Sequence, residues 1–514
     1  MNSKRGKYIM AHEYSFIKYF NAQLSVLAFL LSFTFIFSSA GRAFAQKQPD
    51  STLDEYFKLG VEYVQSAKFE DAEKMFKKVI DFDPFYVDAY NNLGNIYMLR
   101  NNFELALEQY TKVINLAPAN DGAYSNIGLI YMKAGSLSKA IEMFQKASEL
   151  NPRSSEAFYN MANCYLLFNS AANAETSIKK ALEIKPDDQD FKTVLAKSYS
   201  MAKKYAEARR IFEEVISADG SNFDAVNELG LICLYQKDYK KAVEYFDKIK
   251  GNKNLERSSK IFYNLALCHE RLKNISQALD SYIESIKRNP NYAAVRNDYG
   301  SFLFGQNKIE EAQFQFKEAL TIDSTYVNAA VNLAKTYYIQ QRFDEAANVL
   351  TLFLSKRPKE ALIYDQLGLV YYGRKEFEKA KTAFDLAIEY EPTLASAHYN
   401  LGVLYDEAQK YDNAISEYKL SLLFDKEHIL AMNNLGYLYL NLRKFSEAID
   451  ILKKAVAINP QFSWAHYNLA LSYYNSGRRN DALRHLELVT ECEAQDSQLA
   501  EAAQKAISAI KGQK

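Results

Sequence analysis

An asparagine recurs at one equivalent position along the chain, and its side-chain amide can bind a peptide backbone. A primary amide offers both a hydrogen-bond donor and an acceptor, which together match one peptide unit. A row of such amides would hold an extended chain with little regard to its sequence, unless the amides serve instead to stabilise the stack that carries them. The row consists of Asn92, Asn126, Asn160, Asn264, Asn332, Asn400, Asn434 and Asn468. We expect it to be interrupted at Val194, Glu228, Asp298 and Gln366.

Tyrosines accompany this row in the second half of the chain. Tyrosine gives a large contact area at low entropic cost, which suits recognition of a partner, and together with asparagine it also suits carbohydrate. The alternative is that these side chains only pack. They are Tyr263, Tyr399 and Tyr467 at one position, and Tyr338, Tyr372 and Tyr474 at another. The single tryptophan, Trp464, is expected to pack at the end of the row, with a role as a binding hot spot as the alternative.

The sequence carries none of the motifs that would place a catalytic nucleophile, a phosphate or a catalytic metal. GxxxxGK[ST], GxSxG, HExxH and GxGxxG are all missing. The six histidines are dispersed, and His398 and His466 lie at equivalent positions too far apart for one metal. Buried free thiols are predicted at Cys164, Cys233 and Cys268, and an exposed one at Cys492. We therefore predict no enzyme activity, no metal site and no cofactor.

A small residue sets the frame in which these side chains lie, because it recurs every 34 residues with a single step of 36. An alanine follows it after twelve residues in every case, from Ala72 to Ala482. We call this residue the small position and number the repeats 1 to 13 after it. The small positions are Gly60, Gly94, Gly128, Ala162, Ala196, Gly230, Ala266, Gly300, Ala334, Gly368, Gly402, Gly436 and Ala470.

The pattern around each small position predicts two amphipathic helices per repeat, joined by short polar turns such as 100–102. Proline closes eight repeats and is expected inside no helix. A small side chain lets the paired helices approach closely, and a larger one would overpack them at a cost of about 1–3 kcal/mol. One pair cannot bury its own apolar face, so neighbouring pairs must stack. The sequence therefore predicts an all-α solenoid.

This pattern resembles the tetratricopeptide (TPR) repeat from Leu53 to Asp496. The resemblance implies a right-handed superhelix whose first helices line a concave groove. Strings such as YNNLG at 90–94 and HYNLG at 398–402 are similar to the repeats of O-linked N-acetylglucosamine transferases. In those enzymes the asparagines bind the backbone of an extended peptide. The chain leaves no length for a catalytic domain, so the resemblance implies no glycosyl transfer.

The single step of 36 residues divides the predicted solenoid, and a further segment follows its last repeat. Repeats 1–6 occupy residues 53–258 and repeats 7–13 occupy 259–496, separated by a polar loop at 251–258 that is either a hinge or a surface bulge. Residues 497–514 are predicted to form a capping helix and a tail. Leu499, Ala503 and Ile507 of this helix would cover the apolar face that repeat 13 leaves exposed.

Residues 1–45 have the order expected of a secretory signal peptide, and 46–52 form a linker. A basic region precedes the apolar run 24–37, and Ala-Phe-Ala at 43–45 gives a cleavage pattern. The uncharged stretch 19–41 allows an uncleaved anchor instead, and only then would the chain contact a membrane. Either reading places the repeats outside the cytoplasm, in a periplasmic or secreted location.

The charge balance limits the classes of partner. Lys plus Arg and Asp plus Glu both total 63, so the basic surplus typical of a nucleic-acid binder is missing. We predict a non-enzymatic scaffold that binds an extended polypeptide in the groove, with a protein or peptide as partner. The alternative is an envelope component that handles polysaccharide during exopolysaccharide assembly or export.

Overall fold

Every repeat folds into two helices joined by a tight turn, as the apolar periodicity predicts. The structure, a computed structural model, describes residues 51–220, 222–251, 253–492 and 497–512. The predicted leader at 1–45 and most of the predicted linker lie outside the described residues. The described residues form two compact units, with the boundary between Gly251 and Asn252.

The first unit contains repeats 1–6 as twelve helices among its described residues. They are α1 Ser51–Gln65, α2 Phe69–Phe82, α3 Val87–Leu99, α4 Phe103–Leu116, α5 Asp121–Lys133, α6 Leu137–Leu150, α7 Ser155–Leu167, α8 Ala171–Ile184, α9 Gln189–Met201, α10 Tyr205–Ala218, α11 Phe223–Tyr235 and α12 Tyr239–Ile249. Each odd-numbered helix is the first helix of its repeat and each even-numbered helix is the second.

The second unit contains repeats 7–13 and one additional helix. Its helices are α13 Leu255–Arg271, α14 Ile275–Arg288, α15 Ala293–Gly305, α16 Ile309–Ile322, α17 Val327–Ile339, α18 Phe343–Lys356, α19 Ala361–Gly373, α20 Phe377–Tyr390, α21 Ala395–Glu407, α22 Tyr411–Phe424, α23 Ile429–Asn441, α24 Phe445–Ile458, α25 Ser463–Asn475, α26 Arg479–Cys492 and α27 Gln498–Gly512. The last helix buries Leu499, Ala503 and Ile507 against the final repeat, which confirms the predicted cap. Within the described residues, no helix is both long and apolar enough to span a membrane.

A left-handed residue ends the first helix of every repeat, seven positions after the small position. Its φ lies between 56° and 82°, and only Gly135 and Gly477 are glycines. In repeat 2 the backbone N–H of Asn102 donates to the carbonyl of Tyr97 at 2.8 Å, and that of Asn101 donates to Met98 at 3.0 Å. This pairing satisfies the last carbonyls of the helix. The left-handed conformation costs a non-glycine residue on the order of 1–3 kcal/mol, so these bonds and the packing around them must hold it.

The small position packs against a large side chain sixteen residues later, on the second helix. A Cβ atom built on Gly368 would lie 2.4 Å from Cε1 of Phe384, whose ring is 1% exposed. Seven of the eight glycines at small positions face a phenylalanine or tyrosine in this way. Alanine instead shares its buried cluster with an aliphatic residue in three repeats, as Ala334 does with Leu350. In most repeats, therefore, glycine at the small position faces an aromatic ring and alanine faces a smaller aliphatic side chain, so that the combined volume of the two residues stays similar.

The segment at the unit boundary differs from its prediction. Helix α12 has 11 residues where the other second helices have 14, and α13 has 17 where the first helices of repeats 2–6 and 8–13 have 13. Residues predicted as a polar loop are therefore helical from Leu255 onward. Buried serines make this possible, because Ser259 Oγ donates to the carbonyl of Ser285 at 2.9 Å and Ser285 Oγ donates to that of Ser259 at 2.8 Å.

Replacing Gly368 by alanine should weaken the α19–α20 pair by about 1–3 kcal/mol, because the new Cβ overlaps the ring of Phe384. Hydrogen exchange of peptides from α19 and α20 should report the loss as faster local opening. Adding Phe384→Leu should recover part of it, since the pair would then match Ala334 and Leu350.

Gly305→Ala is the matched control for this substitution. A Cβ atom at Gly305 meets no atom within 4 Å. Exchange in α15 should stay unchanged or slow slightly, because alanine restricts the unfolded chain. Equal effects of the two substitutions would contradict the importance of the small position.

Candidate functional site

The first helices of successive repeats lie side by side within each unit. In the second unit α17 contacts α19 and α23 contacts α25, and in the first unit α7 contacts α9. We call the surface that these helices form the first-helix face. The asparagine row lies on it, because each of its residues belongs to a first helix two positions before the small position.

In the second unit most amides of the row bridge successive repeats. The acceptor lies 35 residues earlier in each case, directly before the row position of the preceding repeat. The Nδ2 donors and their acceptors are Asn332 with Asn297 at 2.9 Å, Asn400 with Asp365 at 2.8 Å, Asn434 with the Tyr399 hydroxyl at 3.3 Å, and Asn468 with Asn433 at 3.0 Å. These four asparagines therefore stabilise the stack. Asn332 also donates to the hydroxyl of Ser301 at 3.3 Å, Asn434 accepts from Nδ2 of Asn433 at 3.2 Å, and Asn468 is buried.

An inter-repeat bond also occurs at Asp298, one of the positions where the row of asparagines is interrupted. The hydroxyl of Tyr263 donates to Oδ2 of Asp298 at 2.6 Å, again across 35 residues. Burial and the charge of Asp298 raise the pKa of Tyr263 well above its usual value. Asp298 thus takes part in an inter-repeat bond as an acceptor, although it interrupts the row of amides as the sequence predicts.

The first unit uses its asparagines differently. Nδ2 of Asn126 lies 3.5 Å from Oδ1 of Asn95, which accepts from the hydroxyl of Tyr110 at 2.6 Å. Asn92 donates to the carbonyl of Asp88 in its own helix at 2.8 Å. Asn160 is half-buried on α7. Asn264, in the first repeat of the second unit, is buried. The asparagines of the row therefore occupy equivalent positions in the sequence but form different hydrogen bonds.

A fully buried carboxylate anchors the row in repeat 10. Asp365 accepts from Asn400, from the hydroxyl of Ser396 at 2.9 Å and from the amide of Gln366 at 3.3 Å. Burial raises the pKa of Asp365, although these bonds and the charge of Lys335 partly offset the rise. The sequence prediction missed Asp365, for which the only signal is its place directly before the row.

The predicted tyrosines are half-buried and combine packing with polar contacts. Tyr338 packs edge-on against Phe343, with ring centroids 5.4 Å apart. The ring of Tyr399 lies 6.0 Å from that of Tyr418. Tyr372 donates a hydrogen bond to Glu407 of the next repeat. Tyr467 contacts Trp464 edge-on at 6.5 Å, and Tyr474 is half-buried on α25.

An apolar surface is exposed on the first-helix face of the last two repeats. Trp464 is 54% exposed, Leu430 is 48% exposed and Tyr437 is 45% exposed. The expectation that Trp464 packs at the end of the solenoid is therefore wrong, because α27 covers other residues. Leu430 and Tyr437 were missed, although Leu430 occupies the same repeat position as Trp464.

Two histidines meet in repeat 13, contrary to the expectation that the histidines are dispersed. Nδ1 of His466 lies 2.9 Å from Nδ1 of His485, and Nε2 of His466 donates to the carbonyl of Pro460 at 3.0 Å. Burial lowers the pKa of His466. Burial and the neighbouring His466 lower that of His485 to about 4. No cluster of three or more His, Cys, Asp or Glu side chains suited to a metal occurs among the described residues.

The cysteines lie where the sequence predicts. Cys164, Cys233 and Cys268 are buried and Cys492 is exposed, all as free thiols. Burial raises the pKa of Cys164 to about 12, which leaves it protonated and unreactive at neutral pH.

Family models of one kind match most of this repeat array. Models described as "Tetratricopeptide repeat" match residues 56–86, 75–108, 303–365, 366–426 and 439–506, and one described as "TPR repeat" matches 94–135. Residues 129–299 match a model described as "Tetratricopeptide repeat protein 21 C-terminal ARM domain". The chain belongs to the tetratricopeptide-repeat family.

Similarity of this TPR chain to individual proteins is more limited. It is 30% identical over 119 residues to the heat shock protein STI1 of Saccharomyces cerevisiae, and 27% identical over 108 residues to tetratricopeptide repeat protein 6 of Homo sapiens. The matches cover 23% and 20% of this chain, and 20% and 21% of those proteins, so the chain spans about a fifth of each. The crystal structure of yeast Tom70 superposes with a TM-score of 0.46 at 18% identity, over 83% of this chain and 96% of that one.

Asn400→Ala should destabilise the second unit of the TPR array by about 1–3 kcal/mol, because it removes a donor from the buried Asp365 carboxylate. Urea unfolding followed by circular dichroism measures the loss. Asn92→Ala is the control, since it removes a bond within one helix and should change stability by less than about 0.5 kcal/mol. If both variants unfold like the native chain, the amides do not stabilise the stack.

Acidification should affect repeats 11 and 13 in opposite directions. In repeat 11, Nδ1 of His398 lies 2.7 Å from Glu417, and although burial lowers its pKa, the bonds to Glu417 and Pro392 raise the net value above 6.5. That pair adds stability below pH 6.5 and loses it as the pH rises through the folded pKa. In repeat 13 the pKa of His485 falls from 6.5 to about 4, so stability is lost as the pH falls between those values.

Hydrogen exchange at pH 7.5 and pH 5, corrected for intrinsic rates, should therefore show α25–α26 opening more readily at pH 5 while α21–α22 does not. His485→Gln should weaken the acid response of repeat 13, while His466, whose pKa is also lowered by burial, keeps a part of it. A response of the same sign in both repeats would contradict this assignment.

Proposed function

We propose that this TPR protein is a non-enzymatic scaffold that binds an extended polypeptide along its first-helix face. The observation that carries the proposal is the exposure of Leu430, Tyr437 and Trp464 beside the asparagine row. Large exposed apolar and aromatic side chains that cluster on one face are typical of a binding surface.

The polar groups beside this apolar surface suit a peptide backbone. Asn434 is half-buried and uses one N–H to bridge repeats, so its amide keeps further hydrogen-bonding capacity, whereas Asn468 is buried. Amides already fixed by the stack need no further ordering when a ligand binds, and preorganisation of this kind favours affinity. An extended chain would bury its side chains against Tyr437 and Trp464 while its backbone bonds to the amides.

The predicted leader at residues 1–45 indicates where the scaffold would work. We propose that residues 1–45 direct export and that the scaffold works in the periplasm or after secretion. Retention of residues 19–41 as an anchor is the alternative. The intact mass of the protein purified from its own cells separates the two, because cleavage after Ala45 removes the whole leader.

A photocrosslinking amino acid placed at Tyr437 or Trp464 of the full chain should form adducts with a polypeptide in cells that contain the natural partner. The matched control places the same group at Leu423, which is 63% exposed on the second helix α22. Mass spectrometry of the adducts should map the crosslinks to one extended segment of the partner.

The result also separates the competing functions. Equal adducts at Leu423 would show that the first-helix face is not the binding surface. Adducts that carry glycan rather than peptide would replace this proposal with polysaccharide handling.

A further inference from the structure

Repeats 12 and 13 present the same arrangement of side chains on the first-helix face. On each first helix an apolar residue is followed after four residues by an asparagine of the row and after seven by a second apolar residue. Residues at this spacing lie along one side of an α-helix. They are Leu430, Asn434 and Tyr437 on α23, and Trp464, Asn468 and Leu471 on α25. Since α23 contacts α25, these six residues form a surface with amides in the middle and an apolar row on each side, which we call the two-row surface.

The helices that carry the two-row surface are uncharged. Helices α23 and α25 contain no Asp, Glu, Lys or Arg, and their one histidine, His466, is buried with its pKa lowered by burial. On the preceding first helix, α21, the only acidic residues are the last two, Asp406 and Glu407. The position of Leu430 and Trp464 is acidic in five repeats of the first unit, at Asp54, Asp88, Glu156, Asp190 and Asp224. The neutral surface is therefore a property of these two repeats and not of the repeat pattern itself.

The amide in the middle of this surface selects the conformation of a ligand. Asn434 donates to Tyr399 and accepts from Asn433, and its half-buried amide keeps further hydrogen-bonding capacity. A ligand that covered Asn434 without bonding to it would leave a polar group buried and unsatisfied. The backbone groups of an α-helix bond to one another except at its ends. An extended backbone offers an N–H and a C=O at almost every residue, so it fits an amide that lies between two apolar rows.

The two apolar rows select the side chains of that ligand. Successive side chains of an extended chain point to opposite sides. One side would meet Leu430 and Trp464, and the other would meet Tyr437 and Leu471. Consecutive residues of the ligand must therefore be apolar, and not only every second one. A charged residue would lose its hydration here without meeting an opposite charge.

The spacing of the helices sets the length of the segment. Packed helices lie about 8–10 Å apart and an extended chain advances about 3.3 Å per residue, so each repeat accommodates about three residues and the two repeats about six. In a folded domain a continuous apolar run of this kind normally forms a strand that is buried on both faces. The partner must therefore present the segment outside its own folded core.

We propose that the two-row surface binds an extended polypeptide segment of about six uncharged, apolar residues that the partner's own fold does not bury. This inference rests on the proposed function, because it names the class of polypeptide that binds along the first-helix face. Charged tails and amphipathic helices do not fit this surface, since the first would lack counter-charges and the second would leave Asn434 unsatisfied.

Three fluorescein-labelled peptides with the same flanks of serine and glycine test this selectivity by fluorescence anisotropy with the full chain. The first has the core Leu-Val-Phe-Leu-Val-Tyr. The second replaces every second core residue by serine, and the third replaces the two central core residues by glutamate. The apolar peptide should bind at least about tenfold more tightly than either of the others, because they lose apolar contacts or bring a charge to a neutral surface.

Variants of the chain locate the binding. Leu430→Ser with Trp464→Ser removes two exposed apolar side chains, so it should keep the native helix content by circular dichroism and bind the apolar peptide at least about tenfold more weakly. Leu352→Ser with Leu423→Ser is the matched control, because both leucines are 63% exposed on the second helices α18 and α22. This control should bind like the native chain. Equal losses in the two double variants would indicate unspecific adhesion to exposed apolar residues and would overturn the proposal.

Tyr437→Lys tests the role of charge separately. A lysine on the two-row surface would supply the opposite charge that a glutamate of the third peptide lacks in the native chain. The variant should therefore bind the glutamate peptide at least about threefold more tightly than the native chain does, while binding the apolar peptide more weakly. No gain for the glutamate peptide would overturn the selection of uncharged segments.

The binding of the three peptides to the native chain also separates this proposal from the proposed function. Equal binding of all three would overturn the selection of an apolar segment and leave polypeptide binding intact. If none of them binds, the proposal is overturned as well, and the crosslinks from Tyr437 and Trp464 decide the proposed function independently.

Discussion

The packing of the small position against the side chain sixteen residues later determines the geometry of every repeat. Where the small position is glycine, the facing side chain of the second helix lies so close that no Cβ can be added without displacement, as at Gly368 and Phe384. Burying one such side chain contributes roughly 1.5–3 kcal/mol, and a buried aromatic or aliphatic residue occupies this position in each repeat. The contact also fixes the distance and rotation between the paired helices. Each first helix consequently presents the same sequence positions to its neighbour and to solvent.

The inter-repeat hydrogen bonds of the second unit follow from this uniform geometry. A residue directly before the row meets the row position of the next repeat, whether the pair is Asn433 with Asn468 or Tyr263 with Asp298. A typical hydrogen bond adds only about 1 kcal/mol, which is less than the burial of one ring. The apolar contacts therefore hold the stack together, and the amides mainly fix its register. An amide held in this way remains able to bind a ligand, so structural and binding roles of the asparagines do not exclude each other.

The sequence predicts the parts of this structure that depend on a period within one repeat. The helix pairs and the small positions follow from residues that recur every 34 positions, the buried cysteines from their places within the predicted helices, and the final cap from the apolar residues after the last repeat. Contacts between repeats are harder to predict, because their offset of 35 residues arises from the stacking of helices. Asp298 was therefore expected only to interrupt the row, and Asp365 was missed. The contact of His466 with His485 was missed for a related reason. It joins the two helices of one repeat across 19 residues, and this spacing is not part of the repeat pattern used for the prediction.

Tyr418 shows how one repeat can carry a polar group at a position that is phenylalanine in most other repeats with a glycine at the small position. The ring fills the same space as the phenylalanines of other repeats and keeps the close contact with Gly402. Its hydroxyl extends past that contact to the region of Asp406 and Asn434. The burial cost of this hydroxyl, which no hydrogen bond among the described residues offsets, is tolerated because the surrounding repeats stabilise the pair. The same packing that makes all repeats alike thus accepts a polar group in the interior of one of them.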